Sequence, residues 1–429
     1  MKYIYFLVII SITTIFLISS CKTGNEGASK IILSNQSGMN LTDKAICIQQ
    51  AELKQVPDKE IYPLIISENG DTVPSQLDDL NNDGTWDQLF FVADIPANKE
   101  ISLNLNWVKE KPEYIVRTSV RFGKRSSGNT PVVQKTSDTL LPDKVHKALG
   151  YEPYQTDGPM WENDKVGFRH YFDGRNSNDL FGKKVSYMSP DSVGINFNGD
   201  VVDNYHVMAN WGRDILSVGN SVGIGGFGLM ASDSIMRLGI TGNDTLNNVE
   251  KSIFTIVSEG PVHSVMHFDY QNWHAGNRLY NVEETTSIWP GMYAYNNNVR
   301  ISGLKGDETL LIGLVNSNTD KPLSRIDIGD KYVVLYTHDK QTYDKTWYLG
   351  LALILPAENY VGYGEAPHDG PFTNTYFGKL KIENDKPVNY YAAACWEIAD
   401  QGFSDSTYFR NYIEDLASQL AADVTIKIE

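Results

Sequence analysis

Short apolar runs broken by Asn, Gly and Asp set the main limit on what this 429-residue chain can become. Ile31-Ile32-Leu33, Ala45-Ile46-Cys47-Ile48, Tyr62-Pro63-Leu64-Ile65-Ile66, Gln88-Leu89-Phe90-Phe91-Val92 and Ile101-Ser102-Leu103-Asn104-Leu105 each have strand length. Turn residues such as Glu68-Asn69-Gly70-Asp71 separate them. After a polar stretch at 124–141, read as a connection, strand patterns resume at 167–172, 195–197, 254–257, 262–270, 280–288, 299–303, 310–315, 332–337, 348–355 and 390–396. Helical spacing stands out once, at Phe409, Tyr412, Ile413, Leu416 and Leu420, opened by Ser404-Asp405-Ser406. The chain is therefore predicted all-β, with stacked antiparallel sheets, one C-terminal helix on a sheet and a last strand at 424–428. Residues 31–112 are expected to form an N-terminal β unit and 113–429 the main body.

The first 20 residues read as a signal peptide: Lys2, an uncharged apolar run, then Leu17-Ile18-Ser19-Ser20 before Cys21. Small residues directly before a cysteine resemble a bacterial lipoprotein signal, with Cys21 the lipidated first residue of the mature chain. Residues 21–30 are then a polar tether. The expected location is the outer membrane, facing the periplasm, with membrane contact through the lipid alone. Cys47 and Cys395 sit in apolar runs and are expected to be buried free thiols. A formal net charge of −16 argues against binding nucleic acid or an anionic membrane through bulk charge. A local basic cluster can still bind an acidic sugar, because salt screens distant charge beyond about 10 Å.

Residues 157–228 break the core pattern. Glu162, Asp164, Arg169, His170, Tyr171, Asp173, Lys183, Lys184, Tyr205, His206, Arg213 and Asp214 crowd there, with Trp161 and Trp211 among them. Acids, bases and aromatic faces together suit a carbohydrate site. A salt-bridged surface around buried tryptophans is the plainer alternative. On a strand, Arg169 and Tyr171 share one face, Asp173 continues it, and His170 points the other way. An arginine beside a tyrosine suits a sugar carboxylate and a ring hydroxyl. Tyr205 and His206 face oppositely if extended. His263 and His267 share a face and offer a second wall, while His274 and His368 read as loop residues.

Two further motifs need judgement. Asp79, Asn81, Asp83 and Asp87, with Gly84, match the first part of a calcium loop, but Phe90 stands where the closing glutamate belongs. Structural calcium and an Asx-rich turn are both consistent with it. The run Gly223-Ile224-Gly225-Gly226-Phe227-Gly228 has the dinucleotide spacing without a following helix, so nucleotide binding is rejected and close approach of strands preferred.

Several segments together resemble the Bacteroidetes lipoproteins grouped as domain of unknown function 4861. They are the run from Val73-Pro74-Ser75-Gln76 to Asp87, then Asp157-Gly158-Pro159-Met160-Trp161-Glu162-Asn163, Phe181-Gly182-Lys183-Lys184, Trp211-Gly212-Arg213-Asp214 and Gly260-Pro261-Val262. Arg213 departs from the apolar residue expected in that step. The resemblance implies a β-supersandwich similar to lyase and galactose-mutarotase-like domains. It also implies a place in systems that degrade uronic-acid glycans such as pectin and ulvan, and eliminative chemistry at a uronate.

Elimination needs a carboxylate neutraliser, a base for the C5 proton and an acid for the group leaving C4. Arg169 is the expected neutraliser, His206 the base, and Tyr205 or Tyr171 the acid. Trp161, Glu162, Lys184, Trp211 and Asp214 are expected to bind substrate, an acidic oligosaccharide. No cofactor is required by this chemistry. Dehydratase and lyase need the same side chains and stay open, as do a hydrolase using Glu162 and Asp214 and a glycan-binding lipoprotein without catalysis. The anchor has a direct test. Cys21→Ser should leave an unlipidated precursor and move the protein out of the membrane fraction, and unchanged fractionation would remove the anchor.

Overall fold

The computed structural model describes residues 29–53, 56 and 61–429. The leader and Cys21 lie outside the described residues. The chain forms an all-β protein of stacked antiparallel sheets. In the N-terminal unit, one sheet orders Val424–Ile428, Ser29–Asn35, Glu100–Val108, Tyr62–Ser67 and Thr72–Val73. It packs on a three-stranded sheet of Leu41–Gln49, Gln88–Ile95 and Ser75–Asp78 through Ile31, Leu33, Ile46, Phe91 and Leu105. The final strand thus returns across the molecule, with Ile31 paired to Ile428.

The body is a larger sandwich. A nine-stranded sheet runs in the order Ser137–Leu140, Val249–Glu259, Ser264–Ala275, Arg278–Ile288, Ala294–Ser302, Val388–Trp396, Leu349–Pro356, Tyr332–Asp339 and Ser324–Ile328. Two five-stranded sheets share a core with it, one of them carrying the site described below. Alternation explains the layers: in Leu349–Pro356, Leu351 and Leu353 join that core while Ala352 and Ile354 face outward. The helix Ser406–Ala421 covers the outward face, burying Phe409, Ile413, Leu416 and Ala417. Asp405 caps it by accepting the Tyr408 N–H at 2.8 Å.

Three expectations are corrected. Residues 195–197 are no strand; a single bridge joins Ile195 to Val201, and Phe197 is 97% exposed. The stretch 124–141 contains the edge strand Ser137–Leu140, whose pairing partner Val249–Glu259 is more than a hundred residues away and invisible to local pattern. Cys395 is buried, but Cys47 is exposed, because the apolar run around it alternates and only Ile46 and Ile48 point inward.

Two units join through polar contacts. Gln76 accepts the N–H groups of Val262 and His263 at 3.1 and 2.9 Å and donates to the His263 carbonyl at 3.0 Å. His263 places Nδ1 2.7 Å from Asp78 and stacks on Phe90 at 3.9 Å. His263 is therefore a junction residue. His267, on the outer face of the large sheet, meets Thr285 instead.

The glycine run in Ile224–Ala231 serves close approach. Gly225 has φ +73°, and a Cβ there would lie 2.3 Å from the Tyr295 hydroxyl and 2.8 Å from the Ala392 Cβ. Gly225→Ala should combine left-handed strain with overpacking and cost about 2–4 kcal/mol. Equilibrium denaturation would check this, and an unchanged midpoint would refute the close-approach role.

Candidate active site

The site sheet orders Gly212–Asp214, Asn178–Lys183, Gly167–His170, Met160–Asn163 and Thr118–Arg121. Its inner face carries Trp161, Phe168 and Leu180 into the core. Its outer face carries Met160, Glu162, Arg169, Asp179, Phe181, Lys183 and Asp214, as the registers require. The irregular segment 184–211 lies over that face, and Val193, Tyr205 and Trp211 pack there on Met160 and Phe181. Polar side chains are thereby closed between a sheet and a loop layer.

Arg169 stands at the centre, 2% exposed. Nη1 donates to Asp157 at 3.3 Å; Nη2 meets Tyr171 Oη at 2.7 Å, Asp214 at 2.9 Å, and Asp179. Tyr171 donates its hydroxyl to Asp179 at 2.6 Å. The rings of Tyr171, Tyr205 and Phe181 surround the guanidinium within 4.5–5.1 Å. Burial, and next the neighbouring Asp179, push the Asp214 carboxyl well above the carboxylate range despite Arg169. Arg175 continues the cluster: it pairs with Asp173 at 2.6 Å and lies 3.7 Å over the Tyr171 ring.

The cluster opens on one side into a cavity of about 450 Å³ lined by His146, Lys147, Glu152, Asp157, Arg175 and Asp203, among others. Burial raises the Asp157 carboxyl, Asp173 and Asp203 raise it further, and Arg169 and Arg175 oppose the shift. Glu152 is raised well above its ordinary value by burial, then by Asp157 and Asp173. Burial acts the same way on Asp173, but Arg175 outweighs it and the net shift is downward. Carboxyl groups pushed apart in this manner occur at sites that move protons and also in structural ion-pair networks. Larger hollows, of about 600 and 510 Å³, lie where the N-terminal unit meets the body, without such a set of shifted carboxyls.

The structure redistributes the expected site residues. Trp161, 1% exposed, packs on Phe168 and Tyr295, and Trp211, 5% exposed, packs on Phe181; neither offers a face to a sugar. Glu162 is buried against Lys183 at 2.6 Å and accepts from Ser189, so it binds a neighbour instead of substrate. Lys183 is the internal lysine, and Lys184 is exposed outside the cavity. Glu162 and Asp214 lie in one cross-strand row with two strands between them, about 14 Å apart by sheet spacing, too far for a hydrolytic pair. Arg169 is buried with its Nη groups held by Asp157, Asp179 and Asp214, and its Nε is buried without a hydrogen-bond partner. Tyr171 and Tyr205 are buried beside it, Tyr205 donating to Asp203 at 3.0 Å. Tyr205 and His206 sit in a 3₁₀ turn, Asn204–His206, and are not extended; His206 is exposed near Tyr343 and outside the cavity lining. His170 points away from Arg169 as alternation requires, reaching Asn178 at 2.9 Å, and burial lowers its pKa to about 4.

Sequence reasoning passed over His146, Glu152, Asp157, Arg175, Asp179 and Asp203 as site residues. Asp157, Arg175, Asp179 and Asp203 lay inside the polar block and shared its signal. His146 and Glu152 lay before it, in a stretch without pattern. In the loop at 79–87, the oxygens of Asp79, Asn81, Asp83 and Asp87 accept N–H groups of the loop itself, as at Gly84 (2.8 Å), Thr85 (2.8 Å) and Leu80 (2.6 Å). That is the Asx-turn arrangement.

The family described as Domain of unknown function (DUF4861) matches residues 33–426, and the chain belongs to it. A protein of Formosa agariphila named Uncharacterized protein P7 is 22% identical over 454 aligned positions, covering the whole of both chains. Among solved structures, a glycosyl hydrolase family 38 protein from Enterococcus faecalis matches with TM-score 0.50 and 11% identity over 94% of this chain and 48% of its own. An alpha-mannosidase from the same species gives 0.49 and 11%, over 94% and 46%. The chain thus spans about half the length of these structures, and the likeness is one of fold.

Removing Arg169 would leave Asp179 and Asp214 without their cation in a closed layer, and Asp157 with Arg175 alone. Arg169→Ala should therefore destabilise the protein by about 3–5 kcal/mol, measured by urea denaturation. A parental midpoint would show that the cluster does not depend on it.

Proposed function

We propose that the protein is a carbohydrate-active enzyme acting on an acidic oligosaccharide by elimination at a uronic acid residue, with its site in the cavity between residues 146 and 203. The observation that carries this is the cavity's lining, where the cations Arg175 and Lys147 stand beside the shifted Asp157 carboxyl. In this reading Arg175 and Lys147 hold the uronate carboxylate and offset the charge that develops on it as C5 loses its proton. Asp157, 21% exposed at the cavity, takes that proton. The C5–H electron pair becomes the C4–C5 double bond, the C4–O bond breaks, and the departing oxygen takes up the proton that Asp157 removed. Departure of water makes the enzyme a dehydratase; departure of a sugar makes it a lyase. The fold likeness to a glycosyl hydrolase family 38 protein supports a carbohydrate substrate. Asp157 replaces His206 as base because it lines the cavity and His206 does not.

Hydrolysis is the second reading. Its support is the same set of carboxyls, Glu152 and Asp157 raised and Asp173 lowered, which also suits an acid with an ionised partner.

Incubation with uronic-acid oligosaccharides separates the two. Elimination should produce the ultraviolet absorbance of an unsaturated uronate, and mass spectrometry should then show loss of water or chain cleavage. New reducing ends without absorbance would favour hydrolysis. Asp157→Asn should lower kcat/KM by about 10²-fold or more, and Arg175→Ala by at least about tenfold. Asp157 must be ionised to act as base and its pKa is raised. The parent's kcat/KM should therefore climb with pH along a limb above the ordinary carboxylate range near 4. Near-parental turnover by a folded Asp157→Asn would place the site elsewhere.

A further inference from the structure

We propose that His146, Glu152 and Asp173 form a divalent metal site at the edge of this cavity, with an open position facing the bound sugar acid. Among the described residues this is the place where three groups of metal-ligating type converge, one ligand atom from each lying within 4.8 Å of the others. His146 Nδ1 lies 3.5 Å from Asp173 Oδ2. Two ligands bound at about 2.1 Å can be at most about 4.2 Å apart, so the His146–Asp173 span fits a shared ion, and Glu152, within 4.8 Å of both, would draw in wherever its oxygen lies beyond that limit.

Two independent observations point to a cation. The first is His146 Nδ1, which is shut off from water and makes no hydrogen bond, although the rest of the side chain is 26% exposed. A buried ring nitrogen without a partner normally finds one. The second is charge. Glu152, Asp157, Asp173, Asp179 and Asp214 adjoin one another, Asp203 and Lys147 line the same cavity, and the guanidinium groups nearby are Arg169, Arg175 and Arg237. Arg237 spends its hydrogen bonds on the carbonyls of Asn220, Pro371, Arg175 and Ser221 and on Ser177 Oγ. A divalent ion at this point would add positive charge among these carboxyls and give the buried His146 nitrogen a partner.

The ligand set favours an ion that accepts imidazole nitrogen with carboxylate oxygen, such as Mn²⁺ or Zn²⁺, over Ca²⁺. Asp173 can serve although Arg175 contacts it, since each carboxylate oxygen has two lone pairs. The ion would stand on the same side as Arg175 and share the task of neutralising a sugar carboxylate. That task rests on the elimination reading above; the site itself does not.

The test is calorimetric titration of the chelator-stripped mature chain with Mn²⁺, Zn²⁺ and Ca²⁺, with melting temperature followed in parallel. One Mn²⁺ or Zn²⁺ per chain should bind and raise the melting temperature. Glu152→Gln, which keeps shape, and His146→Gln should each weaken it at least tenfold, while Asp83→Ala in the distant 79–87 loop leaves it unchanged. The melting temperature of each stripped variant separates lost ligation from lost folding. No heat at millimolar metal, or equal binding by folded Glu152→Gln and His146→Gln, would overturn the site. Metal binding without an unsaturated product would leave the site and sink the elimination reading. Full turnover after stripping, with no binding, would do the reverse.

Discussion

A buried arginine ringed by carboxyls is the interaction on which this architecture turns. Desolvating a guanidinium and several acids is costly, and the attraction between them repays the cost only when the geometry is fixed. Arg169 fixes it by tying the strand Gly167–His170 to Asp179 on the next strand, to Asp214 beyond it, and to Asp157 on the loop leading into the sheet. Each partner comes from a different element, so the outer face of the site sheet has one register and one loop path that satisfies the charge. The aromatic rings of Tyr171, Tyr205 and Phe181 seal the guanidinium from water and keep the local dielectric low. Asp157 inherits its unusual environment from this arrangement: it is the member of the cluster held by Arg169 and also turned toward the cavity.

A second polar system lies on the opposite, inner side of the same sheet. His170 meets Tyr270, Tyr270 donates to Glu284, and Asn297 donates to both Glu284 and Tyr390. Burial raises the Glu284 carboxyl to about 7 even with those donors. The hydroxyls of Tyr295 and Tyr390 donate to the carbonyls of Ile224 and Gly225 at 2.7 and 2.6 Å. Those carbonyls are free to accept because the pairing of Ile224–Ala231 with Glu308–Val315 slips between Ile224 and Phe227. The glycines therefore do what a nucleotide loop would not: they interrupt a ladder so that two tyrosines can satisfy the backbone it leaves behind.

The sheets and the C-terminal helix were legible because their signals are local. Alternation in Leu349–Pro356 and the spacing of Phe409, Ile413 and Leu416 report burial within one element. The opposed faces of Arg169 and His170 followed from the same rule. What was illegible depends on pairs far apart in sequence. Nothing near Glu162 announces that Lys183 and Ser189 will claim it, and nothing near Trp161 announces Tyr295. A tryptophan or an acid reads alike whether it meets solvent or a partner, so the polar block marked where charges gather but not which partner each one meets. His146 and Glu152 enter the cavity from a segment with no period at all.

The fold's likeness to much longer proteins constrains the chemistry less than the cluster does. At 11% identity, with this chain covering 48% of the glycosyl hydrolase family 38 protein, a shared fold leaves the side chains free. The decisive features here are grafted onto that frame. The layer 184–211 closes one end of the cluster, and the turn 155–157 holds Thr156 and Asp157 at φ +54° and +61°, a conformation that costs energy for residues with a Cβ. Asp157 Oδ2 lies 3.3 Å from Arg169 and 3.9 Å from Arg175. Strain in the backbone, two arginines at its oxygen and an opening to the cavity meet in that one residue. Asp179 and Asp214 are closed in, and Asp157 is the carboxyl of the cluster left at the opening.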